Sequence, residues 1–184
     1  KNQSNSPLNA PYGRHHRSPT PRIGETLVND TGDGHPEQPK RVIAIKEKLK
    51  KRNDLIWETP VLVPDDILAM THSKEYIENL NNSFPQKGLK FLDGDTVVSP
   101  KSKKAVFDAA GSTIRAIDGI ENNQFKNAFC LARPPGHHAE KNKAMGFCCI
   151  SNAGIATNYL INRYKYKRIA CVDFDVHWGN GNYD

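Results

Sequence analysis

The chain lacks any long hydrophobic run. A membrane-spanning helix needs about 20 consecutive apolar residues, and none of the 184 residues forms such a stretch, so no membrane partner is expected. Cysteine is scarce: Cys130, Cys148, Cys149 and Cys171 lie in apolar segments without CxxC spacing. They read as small buried hydrophobes in a reducing compartment, the cytoplasm or, in a eukaryotic source, the nucleus, and no disulfide is expected. Acidic residues are absent from positions 1–22, which hold Lys1, Arg14, Arg17 and Arg22. The net charge of +6 is therefore largely a property of that arm, leaving +2 for the rest. Residues 40–52 are rich in Lys and Arg but carry no interleaved aromatics, so they read as a solvated helix face and nucleic acid is not an expected partner.

What is present describes one domain: 37% hydrophobic and 25% charged residues is the composition of a globular protein. Residues 1–22 read as a flexible basic arm and 23–184 as the folded part. The turn formers at 29–39 end in Pro39, which suits the first position of a helix bearing Val42, Ile45 and Leu49 and ending near Asn53. Pro64 starts a short helix through Ile67 and Leu68, and Ser73 caps another through Tyr76, Ile77 and Leu80. Ser99-Pro100 marks the start of a long helix whose small residues, Ala109 and Ala110 among them, permit close packing. A further helix spans 151–162. On either side of it lie two short apolar runs, 128–132 and 169–172, which read as strands buried on both faces. Strand, helix, strand with a right-handed crossover gives a parallel βαβ unit, and the polar loops after both strands then leave from one carboxyl edge, where α/β folds place their sites.

Those two loops carry the chemistry. Arg133-Pro134-Pro135-Gly136-His137-His138 follows the first run, and Asp173-Phe174-Asp175-Val176-His177 the second. Asp175 and His177 are two apart, so in an extended segment both project to one side and can share an ion through a carboxylate oxygen and an imidazole nitrogen. Asp173 shares that side and can accept a hydrogen bond from a nearby imidazole, fixing its tautomer. Adjacent histidines held by Pro-Pro-Gly suit a general-base pair. Singly, the histidines are compatible with solvent-facing loop residues, and Asp175 and His177 with strand-end groups satisfied by backbone. Together on one sheet edge they read as a site.

These residues resemble the histone deacetylase family. The resemblance runs through Arg133-Pro-Pro-Gly-His-His-Ala139, Gly146-Phe147-Cys148 and Asp173-x-Asp175-Val-His177-x-Gly179-Asn180-Gly181. It extends upstream to Asp30-Thr-Gly-x-Gly-His35-Pro-Glu-x-Pro-x-Arg41 and Asp93-x-Asp95-Thr96, which are closest to the class II and bacterial acetylpolyamine amidohydrolase branches. The fold so implied is an α/β three-layer α/β/α arrangement with a mainly parallel, arginase/deacetylase-like sheet, present here incompletely. The implied activity is zinc-dependent hydrolysis of an acyl amide, on acyl-lysine in proteins or on an acetylpolyamine. Asp175 and His177 match two zinc ligands; His137 and His138 match the tandem catalytic histidines, with His138 the base. Asp173 and Asn180 match the groups behind them. Gly146 and Phe147 match a wall of the substrate tunnel, Asp93 and Asp95 its rim, and Arg41 an arginine beneath the site beside an internal channel. Potassium near Asp173 and Asp175, and an oligomer, also belong to the resemblance, and spacing here establishes neither.

The chain departs from the family pattern in places. It opens on Lys1 and stops at Asp184 just after a motif, so a piece of a longer protein is expected. The third ligand, an aspartate, and the oxyanion-hole tyrosine are expected beyond it, and the fragment alone is expected to be inactive. Trp178 stands where histidine is common and is expected to pack under its loop. Asn182-Tyr183 replaces the usual continuation, and Asn29 stands in place of a histidine. Two rival readings stay open: a two-metal hydrolase of arginase-like fold, and a non-catalytic binding module or pseudoenzyme.

Overall fold

The computed structural model describes residues 28–183; the arm expected at 1–22 lies outside the described residues. The elements in order are α1 Pro39–Leu49, α2 Asp65–Leu68, α3 Lys74–Ser83, β1 Lys90–Phe91, β2 Val97–Val98, α4 Ser102–Glu121, α5 Asn152–Tyr164 and α6 Asn180–Tyr183. None of the described helices is long and apolar enough to cross a membrane.

Local signals place most of the helix starts. Pro39 opens α1, and Pro64 is the N-cap of α2. The Oγ atoms of Ser73 and Ser151 accept the backbone N–H groups of Tyr76 and Gly154, capping α3 and α5. Two boundaries differ from expectation. The first helix stops at Leu49, four residues early, because a tighter turn takes over as Arg52 N–H donates to the Leu49 carbonyl. The long helix starts at Ser102 instead of Pro100: Ser102 Oγ accepts the Ser99 N–H at 2.8 Å while the Ser99 carbonyl accepts the Ser102 N–H at 3.0 Å, and this closed turn occupies the first positions.

The core forms where α4 packs on α5, with Val106, Ala110 and Ile114 of α4 in one buried cluster with Ile155 and Tyr159 of α5. Burying such side chains stabilises the fold by about 1.5–3 kcal/mol each. The small residues of α4 serve close packing as expected: a Cβ on Gly111 would lie 2.0 Å from the Val61 carbonyl oxygen, so the segment before α2 crosses the helix directly over its backbone. The far end of the interface is polar, since Tyr159 and Tyr164 both donate to Asp118 Oδ1, at 2.9 and 2.8 Å.

The expected strands are corrected. Among the described residues the hydrogen-bonded sheet is the antiparallel pair β1–β2. Residues 128–132 and 169–172 make no strand pairing, and both runs are largely exposed, Phe129 by 71% and Val172 by 81%. A parallel strand gets its ladder bonds and its buried faces from neighbouring strands, and the described residues supply none. For the same reason Cys130 and Cys171 are exposed, whereas Cys148 and Cys149 are buried as expected.

One ion pair ties the amino-terminal turn to the histidine loop. Arg133 and Glu37, each 1% exposed, meet through two bonds of 2.7 Å. Arg133 also donates to the carbonyl oxygens of Asn29 and Glu37, at 2.8 and 3.1 Å. Removing one partner leaves an uncompensated buried charge, so Glu37→Ala is expected to lower unfolding stability by about 3–5 kcal/mol; a urea-melt difference below about 1 kcal/mol would contradict this accounting.

Burial pushes the Cys148 thiol up to about 12, and burial followed by the Asp118 carboxylate pushes Tyr159 up to about 12. The folded state thus keeps protons that the unfolded chain releases, so this contribution is intact below the ordinary thiol and phenol values and lost as pH rises above them. Urea midpoints should fall once pH passes about 8.5–10, and near neutrality a thiol reagent should label Cys171 while sparing Cys148 and Cys149. A midpoint unchanged across that range would refute the linkage.

Candidate active site

The two polar loops meet even though the runs preceding them are unpaired. The turn at 179–181 docks on the histidine loop: Gly181 N–H donates to the His137 carbonyl at 2.8 Å, and a Cβ on Gly181 would lie 2.1 Å from the Ala139 oxygen. Two side-chain bonds complete the junction. His137 Nδ1 is 3.0 Å from Asp173 Oδ2, and His138 Nδ1 is 2.7 Å from Asn180 Oδ1. The two imidazole rings lie 4.0 Å apart, centroid to centroid, and the His177 ring is 6.1 Å from that of His138.

These bonds assign protons. Asp173 Oδ1 accepts the Asp175 N–H, and Oδ2 faces His137 and Asn182 Nδ2. The Asp175 N–H and His137 hold the Asp173 carboxyl below its usual range, so it is ionised and can only accept. His137 therefore carries its proton on Nδ1. Asn180 Nδ2 donates to Glu140 Oε1 at 2.7 Å, which leaves Oδ1 for His138 and puts that proton on Nδ1 too. In the neutral form of each ring the proton is thus assigned to Nδ1 and the lone pair to Nε2, the tautomer a general base requires.

Asp175 and His177 form a pair of donors of the right kind for a metal. His177 Nδ1 is 3.0 Å from Asp175 Oδ1, a gap that one ion with bonds of about 2.0–2.1 Å can span. The His177 backbone N–H, then its ring, hold Asp175 below its ordinary range, which favours the ionised ligand form. Among the described residues no group of three or more His, Cys, Asp or Glu is placed to hold an ion. The pair thus fits as part of a ligand set.

The rim and tunnel residues are linked by His35. Its Nδ1 accepts the Glu37 N–H at 3.1 Å, so Nε2 carries the proton and donates to the Asp95 carbonyl at 3.1 Å. Its ring meets Phe147 edge-on at 4.7 Å, and the Phe147 N–H donates to Thr96 Oγ1 at 3.0 Å. Asp93 turns inward on its own loop: against the pull of burial, the Thr96 hydroxyl and the N–H groups of Asp95 and Thr96 hold it below the usual carboxylate range. Asp95 is exposed.

The Arg41 side chain is 64% exposed on α1 and sits 3.9 Å from Glu37. Glu37 is already held at both oxygens by Arg133, the arginine that is buried here. Trp178 does not pack under its loop; it is 72% exposed, with its ring 5.8 Å from that of Tyr183. Asn182 and Tyr183 continue the glycine turn as the single helical turn α6. Sequence reasoning missed Glu37, Glu140 and His72. Glu37 lay within a matched motif and Glu140 directly after one, each two residues past a histidine, a signal that could have drawn attention to them. His72, buried with Ser151 N–H on its Nε2 at 3.0 Å, carried no motif.

Residues 35–184 match the family described as Histone deacetylase domain. An uncharacterized protein of Synechocystis sp. is 42% identical over 166 residues, which is 85% of this chain and 53% of that protein. Histone deacetylase 8 of Arabidopsis thaliana is 35% identical over 83% of this chain and 41% of its own length. A probable deacetylase of Archaeoglobus fulgidus is 31% identical, over 85% and 44% respectively. The crystal structure of the HDA15 HD domain superposes with a TM-score of 0.78 at 30% identity, covering 86% of this chain and 48% of that one. The chain has this α/β, arginase/deacetylase-like fold in part, and it spans about half the length of these curated relatives.

Gly146 joins the rim to the base. It has φ +56°, and a Cβ there would lie 2.4 Å from His138 Cδ2. Gly146→Ala combines a left-handed backbone with a ring clash, so a loss of about 1–3 kcal/mol is expected, together with a shift of the His138 ring resonances in NMR. An alanine variant with wild-type stability and His138 shifts would show that the contact is slack.

Proposed function

Because the chain belongs to the histone deacetylase family, we propose that the domain it forms part of hydrolyses acyl amides of primary amines, with a zinc ion as cofactor and acyl-lysine in proteins or an acylated polyamine as substrate. The observation that carries this reading is the pair of adjacent imidazoles, each tied at Nδ1 to a side-chain oxygen, beside Asp175 and His177.

Asp175 and His177 would hold the zinc ion, which when bound polarises the acyl carbonyl and acidifies water. His138 Nε2 takes the proton of the attacking water, the carbonyl carbon gains that oxygen, and the carbon–nitrogen bond breaks. The leaving amine receives a proton from an imidazole, and the carboxylic acid so formed gives up its own to the amine, leaving a carboxylate and an ammonium. Asp173 and Asn180 accept from Nδ1–H of the two rings, which leaves Nε2 as the nitrogen that gains and loses the proton. Phe147, braced by His35 and Thr96, forms a wall for an extended acyl-amine chain, and Asp95 at the rim offers an exposed carboxylate to a cationic or peptide-like substrate.

The reading includes inactivity of the 184 residues on their own, since two described donors make half of the usual four-coordinate set. An acetyl-lysine fluorogenic peptide with added zinc tests both parts. The 184-residue chain should show only background turnover, and a version extended to the length of its relatives should turn over and lose about 10²–10⁴-fold on His138→Ala. Robust turnover by the short chain refutes its inactivity, and retained turnover in the His138 variant refutes the base assignment.

A further inference from the structure

We propose that Glu140 is a positioning residue for His138, acting through the amide of Asn180; the inference rests on the reading of His138 as the base. The two histidines are backed by different groups. Behind His137 stands Asp173, ionised, whose oxygens both accept, so either orientation of the carboxylate leaves the proton on His137 Nδ1. Behind His138 stands an amide, and an amide has two unlike ends. With Oδ1 toward the ring, at 2.7 Å, Nδ1 keeps its proton and Nε2 keeps its lone pair. Turned over, the same amide would present N–H to Nδ1, drive the proton to Nε2 and remove the base.

Glu140 decides between these states. Its Oε1 lies 2.7 Å from Asn180 Nδ2, the shortest of three acceptor contacts there; the His138 carbonyl and Met145 Sδ follow at 3.3 and 3.4 Å. In the turned-over state Asn180 Oδ1 would face the carboxylate, acceptor against acceptor, which is the arrangement a charged group penalises most. The carboxylate is itself held in place by its backbone. Glu140 N–H donates to the Lys143 carbonyl at 3.0 Å, and its own carbonyl accepts from Nδ1 of buried His72 at 3.0 Å. His72 Nε2 in turn accepts the N–H of Ser151, the N-cap of α5, at 3.0 Å. A chain of bonds thus runs from the core helix through His72, Glu140 and Asn180 to His138. Asn180 supplies the geometry of an aspartate to His138 only because a second carboxylate stands behind it.

Nitrogen-15 NMR of the histidine rings at neutral pH tests this without reference to turnover. In the wild-type chain His138 should show Nδ1–H with bare Nε2, and the Asn180 amide protons should give nuclear Overhauser contacts to the Glu140 methylenes. Amide protons found on the His138 side instead would overturn the proposal with no variant needed. Glu140→Gln presents an amide that can itself turn over and donate to Asn180 Oδ1, so it should admit an Nε2–H fraction. Glu140→Ala should yield a mixture with a new Nε2–H fraction, while His72 and His137 keep their signatures. Adding Asn180→Asp to Glu140→Ala should restore the single tautomer, because a carboxylate cannot present a donor. An unchanged His138 signature in Glu140→Ala, or no recovery in the double variant, refutes the role. In a version long enough to turn over, Glu140→Ala should lower kcat about tenfold with KM little changed, and adding Asn180→Asp should recover it. If no form of the protein hydrolyses acyl amides, the reaction assignment fails while the tautomer result still stands or falls on its own.

Discussion

The interaction on which the rest depends is the buried pair of Arg133 and Glu37. Taking two charges out of water costs several kcal/mol per ion, and the structure offsets this by satisfying nearly every polar group around them: both carboxylate oxygens, the carbonyls of Asn29 and Glu37, and the Thr31 hydroxyl, which donates to the Glu37 oxygen at 2.7 Å. The pair joins segments 96 residues apart in sequence. It fixes the turn bearing His35 against the loop bearing His137 and His138. That clamp holds His35, whose ring braces Phe147, in a fixed relation to the two histidines.

Most of the site was legible in the sequence because its residues are bound to chain direction and spacing. The Pro-Pro-Gly stretch announces a rigid loop, the two-residue spacing of Asp175 and His177 places both beside one point, and the glycines of 179–181 permit the close approach to Ala139 that docks one loop on the other. The helix starts were legible for a similar reason, since Ser73, Ser151 and Pro39 act on their own next few residues. The less legible parts depend on distant partners. Nothing local distinguishes Arg41 from Arg133 as the arginine that goes inside; Glu37 makes that choice by pairing across the fold. The runs at 128–132 and 169–172 are apolar enough to read as strands, but apolar residues become a sheet only when other strands lie alongside.

The histidine pair shows how unlike backing groups can arrive at one protonation pattern. Asp173 does so by charge, directly and on an exposed loop. Asn180 does so by orientation, borrowed from Glu140 and, through His72, from the cap of α5. His138 is thus wired to the folded core and His137 to a surface turn, so damage to either support reaches a different ring.

The row Val172, Phe174, Val176 and Trp178 has a practical consequence. These even-numbered side chains are all largely exposed, Phe174 by 97%, and they alternate with Asp173, Asp175 and His177. Bare hydrocarbon on backbone that has no neighbouring strand is a template for self-association. Handled alone, these residues invite clumping, and the usual remedy of substituting polar side chains works only at the even positions. The odd positions hold the acids and the imidazole proposed as ion ligands and histidine partner, so solubility can be engineered without touching them along a single seven-residue stretch.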